Sequence, residues 1–259
     1  MTAGKKLSED ICDFWNQRAR LGMEAGTKDL IAKQLEIEAI AAYVRDGMKV
    51  LDAGCGNGVT AIELARRHKI DLIGIDLAEQ MVAAATGMAA NQALLGSVKF
   101  QVGDVLNLSG FPRDFDLIYT ERVLINLPDW PQQQQAIADI IKLLRPGGLY
   151  VMCENSQDGL EEINALRLHL GLGAISPPWH NRYFRDAEIE QAVFQGAILE
   201  GISYYGATYY FLSRVVNAWL AAQENKEPDY HAPVNKLALQ LPPLGKFGQG
   251  RIWLWRKVN

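Results

Sequence analysis

The sequence has few cysteines and no long apolar run. Its three cysteines, Cys12, Cys55 and Cys153, are too few and too scattered for a disulfide framework or a zinc site. A reducing, cytoplasmic setting is therefore the default expectation. No apolar run reaches the about 18 residues that a bilayer span requires, and the first residues lack the apolar stretch of a secretory signal. We expect a soluble protein without a metal site.

An excess of positive charge is also missing. The chain of 259 residues carries 26 basic and 30 acidic side chains, so its formal net charge is −4. Nucleic-acid-binding proteins usually present a basic stripe or patch, and the one basic cluster, residues 66–69, lies where a helix is expected to end. We therefore expect a small-molecule partner, no nucleic acid and no membrane, and we leave a homodimer open.

Short apolar strands alternate with amphipathic helices along the middle of the chain, which is typical of a parallel sheet covered by helices on both faces. The patterns predict strands at residues 48–53, 71–76, 98–102, 115–120 and 149–154, and helices at 28–45, 59–68, 78–92 and 131–144.

The alternation changes after residue 155. Residues 156–196 are expected to form a largely helical cap, and the patterns predict a strand at 197–205, a helix at 209–223 and a last strand at 251–258. We divide the chain into an N-terminal lid and first helix (1–46), a cofactor-binding core (47–155), and a substrate cap with the C-terminal strands of the same domain (156–259).

The segment Val50-Leu-Asp-Ala-Gly-Cys-Gly-Asn-Gly58 is the most informative motif. Its glycines permit a sharp turn and a close approach of a ligand to the backbone. A dinucleotide fingerprint would require glycine at position 59, where this chain has Val59. The carboxylate of Asp52 also suits a cation better than a pyrophosphate. Asp76 follows 20 residues after Gly56, a spacing at which an acidic side chain meets a ribose diol.

Asp52-Ala-Gly-Cys-Gly-Asn-Gly58 resembles motif I of the class I S-adenosylmethionine-dependent methyltransferases. Further motifs of that superfamily are matched in order by Ile73-Gly-Ile-Asp76, Gly103-Asp104-Val105, and Phe115-Asp-Leu-Ile-Tyr119 with Arg145-Pro-Gly-Gly148. The resemblance covers about residues 40–155. It implies an α/β fold with a Rossmann-like seven-stranded sheet, helices on both faces and a helical cap inserted after strand five. It also implies S-adenosyl-L-methionine as cofactor and S-adenosyl-L-homocysteine as its product.

The same resemblance assigns the cofactor-binding residues. It implies that Asp76 holds the ribose hydroxyls and that Asp104 takes the adenine amino group. In the N-terminal lid, Arg18 is placed to meet the methionine carboxylate, although a helix that packs Trp15 on the sheet and leaves Arg18 in solvent is an equal alternative. The expected cofactor-binding residues are Trp15, Arg18, Asp52, Gly54, Gly56, Asp76, Leu77, Met81, Asp104, Val105, Thr120 and Glu121.

The acceptor side is inferred from side-chain chemistry. His180 is the best general base on composition, and Glu154 is placed to orient it or to bond an acceptor hydroxyl; each has a purely structural alternative. Arg122 suits a carboxylate or phosphate on the acceptor, the cofactor carboxylate, or a neighbouring acid. The expected catalytic residues are His180 and Glu154, and the expected acceptor-binding residues are Arg122, Asn155, Trp179, Asn181 and Tyr183.

Aromatic residues at 204–211 are assigned mostly to the core. The leading hypothesis is a small-molecule methyltransferase that acts on a hydroxyl of a sugar-like or other biosynthetic intermediate, by in-line transfer with general-base assistance. Methylation of an amine or a carbon is the alternative. A protein that binds adenosylmethionine for regulation, without transferase activity, is a further one.

Overall fold

Seven strands form one sheet in the computed structural model, which describes residues 3–258. They are β1 (Lys49–Ala53), β2 (Asp71–Asp76), β3 (Ser97–Val102), β4 (Phe115–Glu121), β5 (Leu144–Asn155), β6 (Ala197–Ser203) and β7 (Gly250–Lys257). Their order in the sheet is β3-β2-β1-β4-β5-β7-β6. β7 is antiparallel to both of its neighbours, and the other pairs are parallel. The predicted Rossmann-like α/β fold is confirmed.

The α-helices lie between and around these strands. They are α1 (Ala3–Arg18), α2 (Leu30–Ala41), α3 (Val59–Arg67), α4 (Glu79–Ala89), α5 (Trp130–Leu143), α6 (Gln157–His169), α7 (Asp186–Glu190), α8 (Ala207–Tyr210), α9 (Ala218–Gln223) and α10 (Pro233–Lys236). Short 3₁₀ helices occupy Ala19–Glu24, Leu124–Asn126 and Leu237–Leu239, and a π-helix, Phe211–Asn217, joins α8 to α9. No helix of residues 3–258 has the length and apolarity that a membrane crossing needs.

Local sequence explains where the helices begin. Asp129 accepts a hydrogen bond from the backbone N–H of Gln132 at 2.9 Å, which caps α5 as its sequence predicts. Asp29 caps α2 in the same way, through the N–H of Ala32 at 3.0 Å. On the inward stripe of α5, Ala136, Ile137, Ile140 and Ile141 are buried, so a period near 3.6 places this helix against the sheet.

Two apolar layers cover the two faces of the sheet. One contains α5 and the side chains of Phe184, Trp253 and Trp255. The other contains Ile40 from α2, Leu64 from α3 and the inward residues of β1 and β4. Because both faces are covered, β1 and β4 are buried almost throughout. Only the strand ends are left for polar contacts.

The N-terminal segment forms α1, although residues 1–27 show no clear apolar period; a helix that packs Trp15 was one of the two alternatives for it. Trp15 packs against a small cluster that includes Ala78 and Met81 at the start of α4. The helices after β5 fall into two sets. Residues 156–196, expected to be largely helical, contain only α6 and α7, with residues 170–185 outside any helix between them. A second set of helices with the π-helix follows β6.

Replacement of Gly159 by alanine should destabilise the fold. A Cβ there would lie 2.1 Å from the carbonyl oxygen of Gly248, so α6 or the segment before β7 must move, at a cost of about 1–3 kcal/mol. Urea denaturation measures the change. The control is Gly87→Ala in the exposed last turn of α4, where a Cβ meets nothing within 4 Å; there we expect stabilisation by up to about 0.5–1 kcal/mol. Equal effects of both substitutions would contradict the packing argument.

Candidate active site

A cavity of about 720 Å³ opens at the carboxyl ends of the parallel strands. At this point β1 lies between β2 and β4. The chain adds β2 and β3 on one side of β1 and then β4 and β5 on the other, so the strand order reverses there. Ligands of open α/β sheets bind at such switch points, and the volume is typical of a ligand site. The expected residues that line it are Trp15, Arg18, Asp52, Gly54, Gly56, Asp76, Leu77, Met81, Asp104, Val105, Glu121, Arg122, Asn155, Trp179, His180, Asn181 and Tyr183.

The glycine-rich turn after β1 forms one wall. Gly54 has φ +94, and a Cβ there would lie 2.2 Å from Val123, so only glycine fits. At Gly56 (φ +52) a Cβ would meet nothing within 4 Å, so this part of the loop borders open space. The backbone N–H of Gly56 donates to Asp76 at 2.8 Å. The turn and the end of β2 are thus held together at the cavity wall.

Carboxylates stand at the ends of neighbouring strands. Asp76 also accepts from the N–H of Ala78 at 2.8 Å, and burial, opposed by its two backbone hydrogen bonds, raises its pKa. The carboxylate of Asp104, after β3, accepts from the N–H two residues on, at 2.8 Å, and has no other hydrogen bond with residues 3–258. Val105, Met81 and the exposed Leu77 border the same region. This end therefore combines hydrogen-bond acceptors with an apolar surface.

Asp52 is enclosed within the sheet. It is 2% exposed and accepts a hydrogen bond from the Tyr119 hydroxyl at 2.7 Å, which links β1 to β4. Burial raises the pKa of Asp52 to about 8, although the Tyr119 hydrogen bond opposes the shift. At neutral pH this carboxyl is therefore largely protonated.

The N-terminal segment covers the glycine turn. Arg18 donates to the carbonyl oxygens of Ala25 at 2.5 Å and Glu24 at 3.0 Å, which stabilises the lid. The Asn57 amide donates to the carbonyl of Gly22. Arg18 thus borders the cavity, and its guanidinium binds backbone carbonyls rather than standing in solvent.

Charged groups from three elements meet at the end of β4. Lys33 of α2 lies 2.5 Å from the Glu121 carboxylate, and the Thr60 hydroxyl of α3 donates to the other oxygen of Glu121 at 2.5 Å. Glu36, one turn further along α2, lies 3.2 Å from Nε of Arg122. Burial, opposed by Arg122 and reinforced by Glu121, raises the pKa of Glu36 to about 8. Burial would also raise the pKa of Glu121, but the charge of Lys33, a hydrogen bond with Glu36 and the charge of Arg122 lower it to about 2.

His180 lies among aromatic rings. Its ring centroid is 4.6 Å from that of Phe14, 5.5 Å from Trp15 and 5.2 Å from Trp179. Nδ1 is buried without a hydrogen-bond partner among the residues described. Burial, with a contribution from the charge of Arg18, lowers the pKa of His180 below its ordinary 6.5. The imidazole is therefore neutral at neutral pH.

The π-helix contributes to the opposite wall. Arg214 forms a salt bridge with Asp29 at 2.6 Å and lies over the rings of Tyr209, Tyr210 and Tyr230. The Tyr209 hydroxyl also donates to Asp29. Arg214 and Tyr210 both line the cavity. Because π-helices are rare and frequent at functional sites, this segment is a candidate part of the site.

Two expected site residues do not line the cavity. The buried carboxylate of Glu154 accepts from the N–H groups of Val123 at 3.1 Å, Leu124 at 3.0 Å and Ile125 at 3.4 Å. It holds the turn after β4, so it neither orients His180 nor reaches an acceptor. Thr120 is fully buried, and its hydroxyl pairs with that of Tyr150 at 2.9 Å. Strand alternation directs it away from the cavity.

Sequence reasoning missed several cavity residues: Lys33, Glu36, Tyr210 and Arg214. The sequence contained an indication that Glu36 is buried, because this residue lies four residues from both Ala32 and Ile40, on the buried stripe of α2. A charged residue on an apolar stripe is unusual unless it is paired. Arg214 carried no such signal, because its direction depends on the π-helix.

The pKa of Asp52 predicts a pH-dependent effect of Asp52→Asn. The folded-state pKa of Asp52 is about 8, above the ordinary 3.8. The protonated carboxyl therefore contributes its full stability below pH 3.8, and this contribution is lost as the pH rises from 3.8 through 8. Asparagine resembles the protonated acid, so the variant should match the original protein near pH 4 and exceed its stability by a few kcal/mol near pH 8.

Urea denaturation from pH 4 to 8.5, without added ligands, measures this difference. Asp114→Asn is the control, because that carboxylate is 61% exposed and its ion pair with Lys49 is a surface pair. A stability difference for Asp52→Asn that does not change with pH would contradict the assignment.

Comparison with known proteins gives related sequences and folds. A family model described as "Methyltransferase domain" matches residues 44–176. The sterol 24-C-methyltransferase erg-4 of Neurospora crassa is 28% identical over 176 residues, which cover 64% of this chain and 46% of the relative. The 27-O-demethylrifamycin SV methyltransferase of Amycolatopsis mediterranei is 27% identical over 199 residues, covering 74% and 68%. The chain thus spans less than half the length of the first of these relatives.

A solved structure shares the fold at low identity. Magnesium protoporphyrin IX methyltransferase from Synechocystis, crystallised with bound SAH, has a TM-score of 0.63 and 18% identity, and the match covers 96% of this chain and 99% of that one. The family match covers half of the chain and includes β1 to β5 with the glycine-rich turn. This chain therefore belongs to the methyltransferase domain family.

Proposed function

We propose that this chain is an S-adenosyl-L-methionine-dependent methyltransferase that acts on a hydroxyl of a small polar acceptor, sugar-like or another biosynthetic intermediate, with His180 as general base. The observation that carries the proposal is one continuous cavity with two chemically different ends. Carboxylates and an apolar surface suit a nucleoside at one end. Amides, phenols and basic groups line the other.

The residues of the first end fit this cofactor. Asp76 stands beside the open turn at Gly56 and keeps free lone pairs for ribose hydroxyls, and Asp104 has a carboxylate oxygen free for the adenine amino group. Leu77 and Met81 offer apolar contacts to a base. When bound, S-adenosylmethionine supplies a methyl group already activated on a sulfonium. The chain must therefore mainly align the acceptor and exclude water.

His180 has the properties of a base at neutral pH. Its lowered pKa keeps the imidazole neutral, so the ring has a nitrogen able to accept a proton from an acceptor hydroxyl, and His180 lines the cavity. Phe14, Trp15 and Trp179 surround it with rings that displace water. The indole N–H of Trp15 donates to Asn126 at 3.2 Å, which ties the lid to the turn after β4.

Transfer to an amine or a carbon is the alternative acceptor chemistry. The sterol relative is a C-methyltransferase by name, so family membership alone does not choose the atom. The acceptor end here is lined by Asn155, Asn181 and Tyr183, which favours a polar molecule over a sterol. We propose a small molecule rather than nucleic acid because the chain has a net charge of −4, and we propose a cytoplasmic location.

Calorimetric titration with S-adenosylhomocysteine tests the cofactor. We expect micromolar binding, with NAD as the ligand that does not bind. Asp76→Ala should weaken this binding about 10- to 100-fold, because hydrogen bonds to a carboxylate are lost. Asp71→Ala is the control: Asp71 lies at the other end of β2, and its exposed carboxylate accepts from the Ser97 hydroxyl. Equal affinities in the Asp76 and Asp71 variants would remove the ribose assignment.

Replacement of His180 tests the base. With an acceptor identified by labelled-donor screening, His180→Ala should lower kcat about 10²- to 10⁴-fold with little change in KM. In the original protein, the acidic limb of the pH–rate profile should lie below pH 6.5, because the neutral imidazole is the active form and burial lowers its pKa. Exposed His169 on α6 provides the control variant, His169→Ala. Full turnover by His180→Ala would leave His180 a packing residue.

A further inference from the structure

Arg122 occupies a strained position directly after β4. Its φ is +56, in the left-handed region that a side chain rarely adopts. Its N–H donates to the carbonyl of Cys153 at 2.9 Å, and its carbonyl accepts from the amide of Asn126 at 3.0 Å. Strained residues persist where their surroundings determine them, often at functional sites. The fixed backbone at Arg122 sets the starting position of its side chain.

The guanidinium of Arg122 has few partners. Nε is buried and forms no hydrogen bond, although the Glu36 carboxyl is 3.2 Å away. Nη2 lies 3.8 Å from the position that a Cβ on Gly26 would take. Within residues 3–258 we find no hydrogen bond from this side chain to another residue. Arg122 lines the cavity, so its donors are available to a ligand.

The other cations around the cavity are engaged. Lys33 is paired with Glu121 at 2.5 Å and Arg214 with Asp29 at 2.6 Å. Arg18 donates to two backbone carbonyls. Among these four cations, Arg122 is the one whose side chain forms no hydrogen bond with another residue of 3–258.

The Glu36 carboxyl lies 3.2 Å from Nε of Arg122 without forming a hydrogen bond to it. Burial, opposed by the charge of Arg122, raises the pKa of Glu36, which weakens its negative charge. Buried donors are costly when they lack hydrogen-bond partners. A bound anion would supply acceptors to the guanidinium.

Unpartnered polar atoms lie in the same region. The side-chain oxygens of Asn155 and Asn181 and one oxygen of Glu36 are buried without partners among the described residues. Burial raises the pKa of the nearby Tyr183 phenol, whereas Asn155, Arg122, Asn181 and Arg214 act in the opposite direction. Tyr183 thus lies within the influence of both arginines.

We propose that the acceptor is a small carboxylic acid whose carboxylate binds Arg122, with the phenol of Tyr183 beside it. The inference names the substrate class of the proposed methyltransferase and rests on that function. A carboxylate carries one negative charge and matches the fork of a guanidinium. A phosphate monoester would bring about −1.5 to −2 next to the Glu121 carboxylate, more than one free cation balances.

Simple carboxylates test this without knowledge of the acceptor. Benzoate and acetate are titrated into the protein saturated with S-adenosylhomocysteine, and benzamide and acetamide serve as neutral counterparts, with intrinsic tryptophan fluorescence as the readout. At least one acid should bind about 10- to 100-fold more tightly than its amide, as expected for charge-assisted hydrogen bonds. Inorganic phosphate should bind more weakly than that acid.

Arg122→Gln should abolish the preference for the acid, while Arg66→Gln, on the exposed surface of α3, should retain it. Melting temperatures check that both variants are folded. The inference is overturned if no acid is preferred over its amide, if phosphate binds more tightly than either acid, or if Arg122→Gln keeps the preference.

A second titration separates the acceptor from the methionine carboxylate of the cofactor. S-adenosylhomocysteine and its decarboxylated analogue are compared in the original protein and in Arg122→Gln. If Arg122 serves the acceptor, decarboxylation weakens binding by the same factor in both proteins. If that factor falls to about one in Arg122→Gln, the arginine holds the cofactor and the inference is wrong.

The two proposals fail in different ways. Absence of S-adenosylhomocysteine binding to the folded original protein overturns the methyltransferase proposal, and the acceptor inference with it. Binding of S-adenosylhomocysteine without any preference for an acid leaves the methyltransferase proposal intact and overturns only the acceptor inference.

Discussion

The ion pair between Lys33 and Glu121 holds the centre of the site together. Glu121 ends β4 at the point where the strand order reverses, and its carboxylate is 5% exposed. A buried charge must be paired and hydrogen-bonded, and here Lys33 of α2 and Thr60 of α3 provide these contacts. The requirement fixes both helices against the end of β4. Arg122, the next residue, is thereby directed to the cavity.

The carboxylates at the strand ends differ because their surroundings differ. Asp52 is enclosed between β1 and β4 and bonded to Tyr119, so its role is coupled to folding. Asp76 is held by backbone N–H groups of the turn, and Asp104 by its own loop, and both border the cavity. All three side chains border the cavity, but Asp52 also links two strands inside the sheet, whereas Asp76 and Asp104 are held by loop backbone.

The cover of the cavity comes from segments far apart in sequence. The lid brings Phe14 and Trp15 to His180, which follows β5. Asp29, before α2, meets Tyr209 and Arg214, which follow β6. These contacts enclose the acceptor end with aromatic rings and paired charges. Enclosure strengthens electrostatic interactions there.

The sequence by itself determined the sheet and the position of the site. Apolar periodicity predicted β2 with its observed ends, and β1, β4 and α5 within a few residues. Each of these elements has a buried face, and a buried face produces a periodic apolar pattern in the local sequence. The glycine spacing at 54–58 and the acids at 76 and 104 predicted one wall of the cavity, because strand ends and turns are local features. The extent of α1 was not predicted, because residues 1–27 show no clear apolar period.

Only the tertiary structure decided how the acceptor end is built. Glu154 was expected at the acceptor, but three backbone N–H groups of the turn after β4 surround it, and that turn is distant in sequence. Glu36 and Arg214 were not expected, yet both reach the cavity. Whether a charged side chain is free or paired depends on partners brought together by folding. Local sequence does not record those partners, and the free guanidinium of Arg122 became visible only when they were in place.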